Sequence, residues 1–282
     1  MKKNLLILIL LFCFCSIFSA QNQRYFYQYK KKNIDSTGKD ISYKETFILD
    51  VSQKGSRFWS YEAMEADSIK KSELRDYESG KYEAKWFRGS RFFIDKKYPD
   101  FKINHISSIS VNVFNLEDDR KPKWEILKQT DKIFNFKVQK AEAQFMGRKW
   151  IAWFTEDIPI QDGPHKFFGL PGLILKVEDE SENYSFEIVG IKKLDKLDLN
   201  IYPFYDSSSM IVKVNYQKYK KVYSDYYLKG IFVMPLSDEN TTFVDANGKK
   251  ISKEEFYRPI INNVKNSASK RKELPMDLEL VN

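Results

Sequence analysis

The chain has only two cysteines and two histidines among 282 residues, and this scarcity excludes several kinds of site. Cys13 and Cys15 both lie in the first twenty residues, which leaves His105 and His165 as the only histidine or cysteine ligands beyond them. A zinc site needs three or four nitrogen, sulfur or carboxylate donors. The sequence also lacks a Gly-x-Ser-x-Gly elbow, a Walker phosphate loop and a dinucleotide fingerprint. We therefore expect no metal, no cofactor and no serine-histidine catalytic set. His165, a lone histidine in a loop, is expected to be a solvated side chain.

Residues 1–20 have the features of a secretory signal peptide. Lys2 and Lys3 precede an apolar run over 5–14, and Ala20 closes the segment with a small side chain. The run is shorter than the roughly 20 apolar residues that a membrane-spanning helix needs. We expect cleavage near this point and export to the periplasm, the outer membrane or the extracellular space. The remaining chain contains no cysteine, so its stability has to come without disulfides.

The formal net charge is +8, and the lysines are spread along the whole length. A solvated basic surface accounts for this distribution, and an anionic partner such as lipopolysaccharide, phospholipid or an acidic glycan is the alternative. The export signal argues against nucleic acid as a partner. No other segment approaches the length and apolarity of a membrane span, so we expect no transmembrane segment in the mature chain.

Alternating side chains dominate the chain beyond the leader and indicate strands. Tyr25, Tyr27 and Tyr29, for example, fall on one side of a first strand. Helical spacing is confined to 60–82, 213–228 and 253–264. Ser252 is the predicted N-cap of the last of these segments, with Glu255 three residues on, and a turn is predicted at 245–248. Further strands are predicted at 42–51, 57–61, 91–94, 102–114, 124–126, 134–138, 148–154, 173–177 and 184–191. The predicted fold is mainly β with α+β character at its margins: one domain over 21–282, with a curved, partly barrel-like antiparallel sheet and two or three helices.

The connection between the strands at 148–154 and 173–177 is rich in proline and glycine. Pro159, the triplet Asp162-Gly163-Pro164 and the pair Pro171-Gly172 all lie in it. Proline followed by glycine suits the two central positions of a type II turn, because the second position requires a positive φ. We predict such a turn at the entry to the second strand.

This region resembles the signature of the GLPGLI family, a group of exported Bacteroidetes proteins without an established activity. The hexapeptide stands intact at 169–174, and an upstream tryptophan strand and a glycine-proline turn precede it in the same order. The resemblance implies export and a fold, but it supplies no catalytic residues. The residues that carry it form our candidate binding or motif loop: Trp150, Trp153, Asp157, Pro159, Asp162, Gly163, Pro164, Phe168, Gly169, Leu170, Pro171, Gly172, Leu173 and Ile174.

Two interpretations of this loop follow: a turn that shapes the sheet, or an exposed recognition loop on a rigid scaffold. The leading functional hypothesis is a non-catalytic envelope protein that binds a lipid, glycan, peptide or other envelope component. One alternative is an envelope hydrolase that uses Glu156, Asp157 and Asp162, since glycan cleavage needs two carboxyl groups across a cleft. Another is an accessory subunit of an outer-membrane system. The aromatic side chains of this region are expected mostly in the core, with some lining an apolar groove.

Overall fold

A computed structural model describes residues 22–34, 40–66, 89–200, 210–235, 241–268 and 275–280. The predicted signal peptide, at 1–20, lies outside the described residues. The chain divides into two compact units, one made of 1–103 and 119–204 and the other of 104–118 and 205–282. The predicted single domain stays a prediction, since compactness alone does not measure independent folding.

Fourteen strands are described. In chain order they are β1 (Gln23–Ile34), β2 (Asp40–Ser52), β3 (Gly55–Ser60), β4 (Phe92–Lys97), β5 (Lys102–Ile109), β6 (Asn112–Asp118), β7 (Glu125–Ile133), β8 (Phe136–Phe145), β9 (Arg148–Thr155), β10 (Leu173–Asp179), β11 (Tyr184–Lys193), β12 (Ile211–Asn215), β13 (Phe243–Val244) and β14 (Lys250–Ile251).

The first unit is an antiparallel sheet in the order β4-β3-β2-β1-β11-β10-β9-β8-β7. Its core follows from the alternation of side chains across the strands: Tyr25 and Tyr27 of β1 are fully buried, and Arg24 and Phe26, which alternate with them, are half-buried. The predicted mainly β class is confirmed. Among the described strands no pairing closes the sheet into a barrel. One outer strand, β7, is exposed and carries charges such as Lys128 and Asp131, which is typical of a protected sheet edge.

Most strands were predicted in the right place, but the segment 102–114 was predicted as one strand and forms two. β5 ends at Ile109, and β6 begins at Asn112. Ser110 has a φ of 60°, which turns the chain between them. Serine in this left-handed region carries no strong sequence signal, whereas glycine does.

The second unit combines β6 and the later part of β5 with β12, which pairs with β6 in parallel. Two helices follow β12 in the chain: α1 (Tyr216–Tyr227) and α2 (Lys253–Ala268). The α2 cap was predicted correctly, because the Glu255 amide donates to the Ser252 hydroxyl at 3.0 Å. Residues 61–66 are helical as predicted, and the rest of that predicted helix, 67–82, lies outside the described residues. A buried cluster joins these elements to the 3₁₀ turn Leu278–Leu280: Ile109, Phe114, Leu116, Val214, Tyr219 and Leu280.

The N-terminus of α1 provides a local test of this unit. The side chain of Asn215 caps the helix by accepting a hydrogen bond from the amide of Lys218 at 3.0 Å. We expect Asn215→Ala to lower the free energy of unfolding by about 1 kcal/mol, because the amide loses its partner. Urea denaturation followed by circular dichroism measures this loss. Asn215→Asp retains an acceptor and is the control; an equal loss in both variants would contradict the cap.

Candidate functional site

The connection between β9 and β10 folds back on itself instead of extending into solvent. The amide of Gly169 donates to Gln161 O at 3.0 Å, and the amide of Ile174 donates to Asp162 O at 3.0 Å. A single β-bridge pairs Asp162 with Phe168. These bonds pair residues 161–162 with residues 168–174, so the connection is folded in two. The hexapeptide 169–174 lies in its second half, which leads into β10.

Most of the candidate loop is buried. Trp153 is half-buried, and the exposed members are Asp157, Pro159, Gly169 and Pro171. The members that are buried are Trp150, Asp162, Gly163, Pro164, Phe168, Leu170, Gly172, Leu173 and Ile174. His165, which we expected to be solvated, is also buried and lies 6.1 Å from the ring of Phe186 in a stacked arrangement. The loop therefore offers solvent only short stretches of its length.

Two glycines of the hexapeptide are needed for different reasons. A Cβ atom on Gly172 would lie 1.9 Å from the carbonyl oxygen of Thr155, so any side chain would collide with the backbone of β9. Gly169 has a backbone φ of 94°, a conformation that residues other than glycine rarely adopt. The predicted type II turn is wrong in its detail, because the positive φ falls at Gly169 and Gly172 has none.

A fully buried ion pair joins β4 to the connection that contains the hexapeptide. Lys96 Nζ of β4 is 2.5 Å from Asp162 Oδ1, and both side chains have zero exposure. The same ammonium donates to the carbonyl oxygens of Gly163 at 2.6 Å and His165 at 3.0 Å. A buried charge is tolerated only when it is paired and hydrogen-bonded. Lys96 meets both conditions, and it ties β4 to the connection.

Two hydroxyl groups complete the surroundings of the Asp162 carboxylate. Ser56 Oγ and Tyr98 OH each donate to Oδ2 at 2.5 Å, and the amide of Gly163 donates to Oδ1 at 2.7 Å. Burial raises the pKa of Tyr98, and the negative charge of Asp162 raises it further, so this phenol stays protonated. Burial lowers the pKa of Lys96, and the Asp162 carboxylate opposes that effect.

Sequence reasoning selected Asp162 but missed its partners Lys96, Ser56 and Tyr98. One signal was available for Lys96: on a strand it shares a face with Ile94, and both are buried. A lysine in phase with core residues indicates a buried cation that needs a counter-charge. No comparable signal identifies Ser56 or Tyr98, since their role depends on which strands become neighbours.

The aromatic side chains of the region are largely core, as predicted. The ring of Phe167 contacts that of Trp150, with centroids 4.6 Å apart, and Phe47 stacks on Phe58 at 4.9 Å. The indole of Trp150 donates to the carbonyl oxygen of Phe145 at 2.8 Å, which satisfies its one polar group. These rings fill the interior and anchor β9 to the connection.

The carboxylates of the hydrolase hypothesis occupy different environments. Asp162 is enclosed in the ion pair, whereas Glu156 and Asp157 are exposed. Across the parts of the chain that the structure describes, no cluster of three or more histidine, cysteine, aspartate or glutamate side chains has metal-binding geometry. Asp162 therefore has a structural position, with its oxygens already occupied by protein donors.

A cleft of about 660 Å³ opens beside the ion pair in the first unit. Its walls come from the turn between β2 and β3, from the end of β4 and from the segment 197–200. Arg57 links two walls of the cleft, because its guanidinium pairs with Asp95 at 2.7 Å and donates to Leu199 O at 2.7 Å. Burial raises the pKa of Asp95, and Arg57 opposes this effect. The lining residues are Asn22, Ser52, Gln53, Lys54, Gly55, Ser56, Asp95, Lys96, Lys97, Leu197, Asp198, Leu199 and Asn200.

The cleft wall depends on another close backbone approach. A Cβ atom on Gly55 would lie 2.3 Å from the carbonyl oxygen of Lys96. The amide of Tyr98 donates to Lys54 O at 3.1 Å, which joins the turn to the end of β4. Lys54 and Lys97 are exposed at this edge, and neither forms an ion pair within the described part of the chain. Two positive charges thus stand beside the opening, whose lining also contains the carboxylates of Asp95 and Asp198.

Comparison with known proteins gives a family match over a short part of the chain and a likeness in fold. A family described as "Protein of unknown function (Porph_ging)" matches residues 146–176, the segment that contains the hexapeptide. The chain matches none of the curated proteins with which it was compared. Structures of PNGF-II in the P21 and C2 space groups are similar, each with a TM-score of 0.50 and 16% identity.

These two structures cover 80% and 81% of this chain, but the matched part is only 37% and 39% of the PNGF-II chains. This chain therefore spans less than half the length of those proteins. At this identity the likeness shows the fold alone. Among the described residues no helix combines the length and apolarity that a membrane span requires.

Proposed function

We propose that this chain is an exported, non-catalytic protein of the bacterial envelope that binds an anionic, hydroxyl-rich component in the cleft, with an acidic glycan as the ligand class. The observation that carries the proposal is the cleft itself, with Lys54 and Lys97 beside a polar lining. We also infer that the chain is a member of the GLPGLI family, supported by the intact hexapeptide at 169–174. Export rests on the signal-peptide features of residues 1–20.

The chemistry of the lining favours this ligand over the alternatives. Asn22, Gln53 and Asn200 carry side-chain amides, which both donate and accept hydrogen bonds and so suit sugar hydroxyls. Leucine is the only large apolar residue type among the lining residues, which disfavours an acyl chain. Lys54 and Lys97 supply attraction for a carboxylate. The net charge, +8 for the full sequence and +6 without Lys2 and Lys3 of the leader, adds a long-range contribution. Most residues of the hexapeptide are buried and none lines the cleft. In this proposal the hexapeptide supports the site and does not contact the ligand.

The test is binding of a uronic-acid oligosaccharide, measured by isothermal titration calorimetry at low ionic strength. We expect Lys54→Glu combined with Lys97→Glu to weaken binding at least about tenfold, a loss of about 1.4 kcal/mol, because two attractive charges become repulsive. Added salt should weaken binding by the wild type, since exposed charges are screened. A neutral dextran oligosaccharide of equal length should bind more weakly.

Lys128 and Lys132 provide a matched control, because both are exposed on the outer strand β7. Glutamate at these two positions changes the net charge by the same amount without touching the cleft. Equal weakening in the two double variants would show a general charge effect and would contradict a site in the cleft. No measurable binding of the oligosaccharide to the wild type would also reject this ligand class.

A further inference from the structure

The Lys96–Asp162 pair has an arrangement that goes beyond an ordinary ion pair. Its two charged groups are 2.5 Å apart with zero side-chain exposure, so water is excluded from both. We propose that Lys96 and Asp162 react after folding to form an intramolecular isopeptide bond, an amide between Nζ and Cγ. This inference does not depend on the proposed ligand or on the cleft.

The reaction balances without any outside reagent. A proton moves from the Lys96 ammonium to Asp162 Oδ1, which leaves a neutral amine beside a neutral acid. The amine nitrogen attacks Cγ, a second proton passes from nitrogen to Oδ1, and the bond from Cγ to Oδ1 breaks. One water molecule leaves, and the nitrogen keeps one hydrogen as an amide.

The neighbours of Nζ direct the amine toward the carboxyl group. Four oxygen atoms surround the ammonium: Asp162 Oδ1 at 2.5 Å, Gly163 O at 2.6 Å, His165 O at 3.0 Å and Phe167 O at 3.4 Å. When one hydrogen has been transferred to Asp162, the carbonyl oxygens accept the remaining two. The lone pair then faces the protonated Oδ1, and a rotation of the Asp162 carboxyl group brings Cγ into line with it for attack.

The neighbours of Oδ2 are placed to stabilise the charge that develops on attack. Ser56 Oγ and Tyr98 OH both donate to this oxygen at 2.5 Å. In the tetrahedral intermediate Oδ2 carries the negative charge, and fixed donors in a water-excluded site are effective there. The neutral amine is favoured by burial, which lowers the pKa of Lys96. Beyond residue 20 the chain has no cysteine, so this bond would supply the covalent link that a disulfide supplies elsewhere.

Mass spectrometry of the purified, folded full chain tests the proposal. The intact mass should be lower, by one water molecule, than the mass calculated from the N-terminus observed in the same sample. A protease digest should contain a joined peptide pair that carries Lys96 and Asp162. A full mass without the joined pair, in protein that circular dichroism shows to be folded, would overturn the inference.

Variants separate the reaction from the ion pair. Lys96→Arg keeps a positive charge but has no amine to acylate, so it should show the full mass. Lys97→Arg changes the exposed neighbour and should leave the joined peptide intact. Tyr98→Phe retains the ring but removes one donor to Oδ2, so the bond should form on the order of 10²-fold more slowly. A joined pair in Lys96→Arg, or an unchanged rate in Tyr98→Phe, would contradict the assigned roles.

Discussion

Replacing Asp162 by alanine is expected to lower the free energy of unfolding by about 3–5 kcal/mol relative to the unreacted ion pair, because it leaves the Lys96 ammonium buried without its counter-charge. Relative to wild-type chains that carry the proposed amide, the variant also loses the cross-link, and the decrease is larger. Lys96 is fully buried, and its remaining partners are neutral carbonyl oxygens. The hydroxyls of Ser56 and Tyr98 would lose their acceptor in the same step. Urea denaturation followed by tryptophan fluorescence measures the loss.

Asp157→Ala is the matched control, since the same side chain is removed from an exposed position five residues earlier in the same connection. It should change the free energy of unfolding by no more than about 0.5 kcal/mol. The pair of variants also separates a structural role from catalysis. If Asp162→Ala kept the stability of the wild type, the buried ion pair would not support the hexapeptide as we describe.

Gly172→Ala is expected to destabilise the first unit by about 1–3 kcal/mol or more, because a Cβ atom at this position meets the main chain of β9. The distance to the carbonyl oxygen of Thr155 would be 1.9 Å, and a backbone atom has no rotamer by which to move away. Relief would require β9 and β10 to separate where Leu173 pairs with Thr155. Thermal unfolding followed by circular dichroism provides the measurement.

Gly190→Ala is the control for the loss of a glycine. Its added Cβ would lie 3.4 Å from the ring of Phe26, an ordinary contact with a side chain. We expect a much smaller effect there, since β11 gains a methyl group without a backbone collision. Equal destabilisation at both positions would mean that the close approach to Thr155 is not what requires glycine in the hexapeptide.

The elements that sequence predicted well depend on local rules. The alternation of Tyr25 and Tyr27 located β1 and its buried face. Ser252 and Glu255 located the start of α2, because a helix cap needs only residues three positions apart. The turn at 245–248 was also predicted, and the amide of Gly248 donates to Asp245 O at 3.0 Å.

The elements that sequence missed depend on distant neighbours. The hexapeptide was singled out from the sequence, but its burial was not predicted, because prolines and glycines equally suit an exposed loop. His165 was expected in solvent on the same grounds and is packed among aromatic rings. A positive φ was predicted for Gly172 because it follows Pro171. The structure instead requires glycine there because the backbone of Thr155 lies too close for a side chain.

By itself, the sequence determined the mainly β class, most of the strands, the cap of α2 and the position of the hexapeptide, because each follows from side-chain order within a few residues. Tertiary structure alone decided that β4 delivers Lys96 to Asp162, that Ser56 and Tyr98 complete the carboxylate's surroundings, and that a cleft opens beside them. The physical reason is that these groups come from segments far apart in the chain, and only strand order and register bring them within hydrogen-bonding distance.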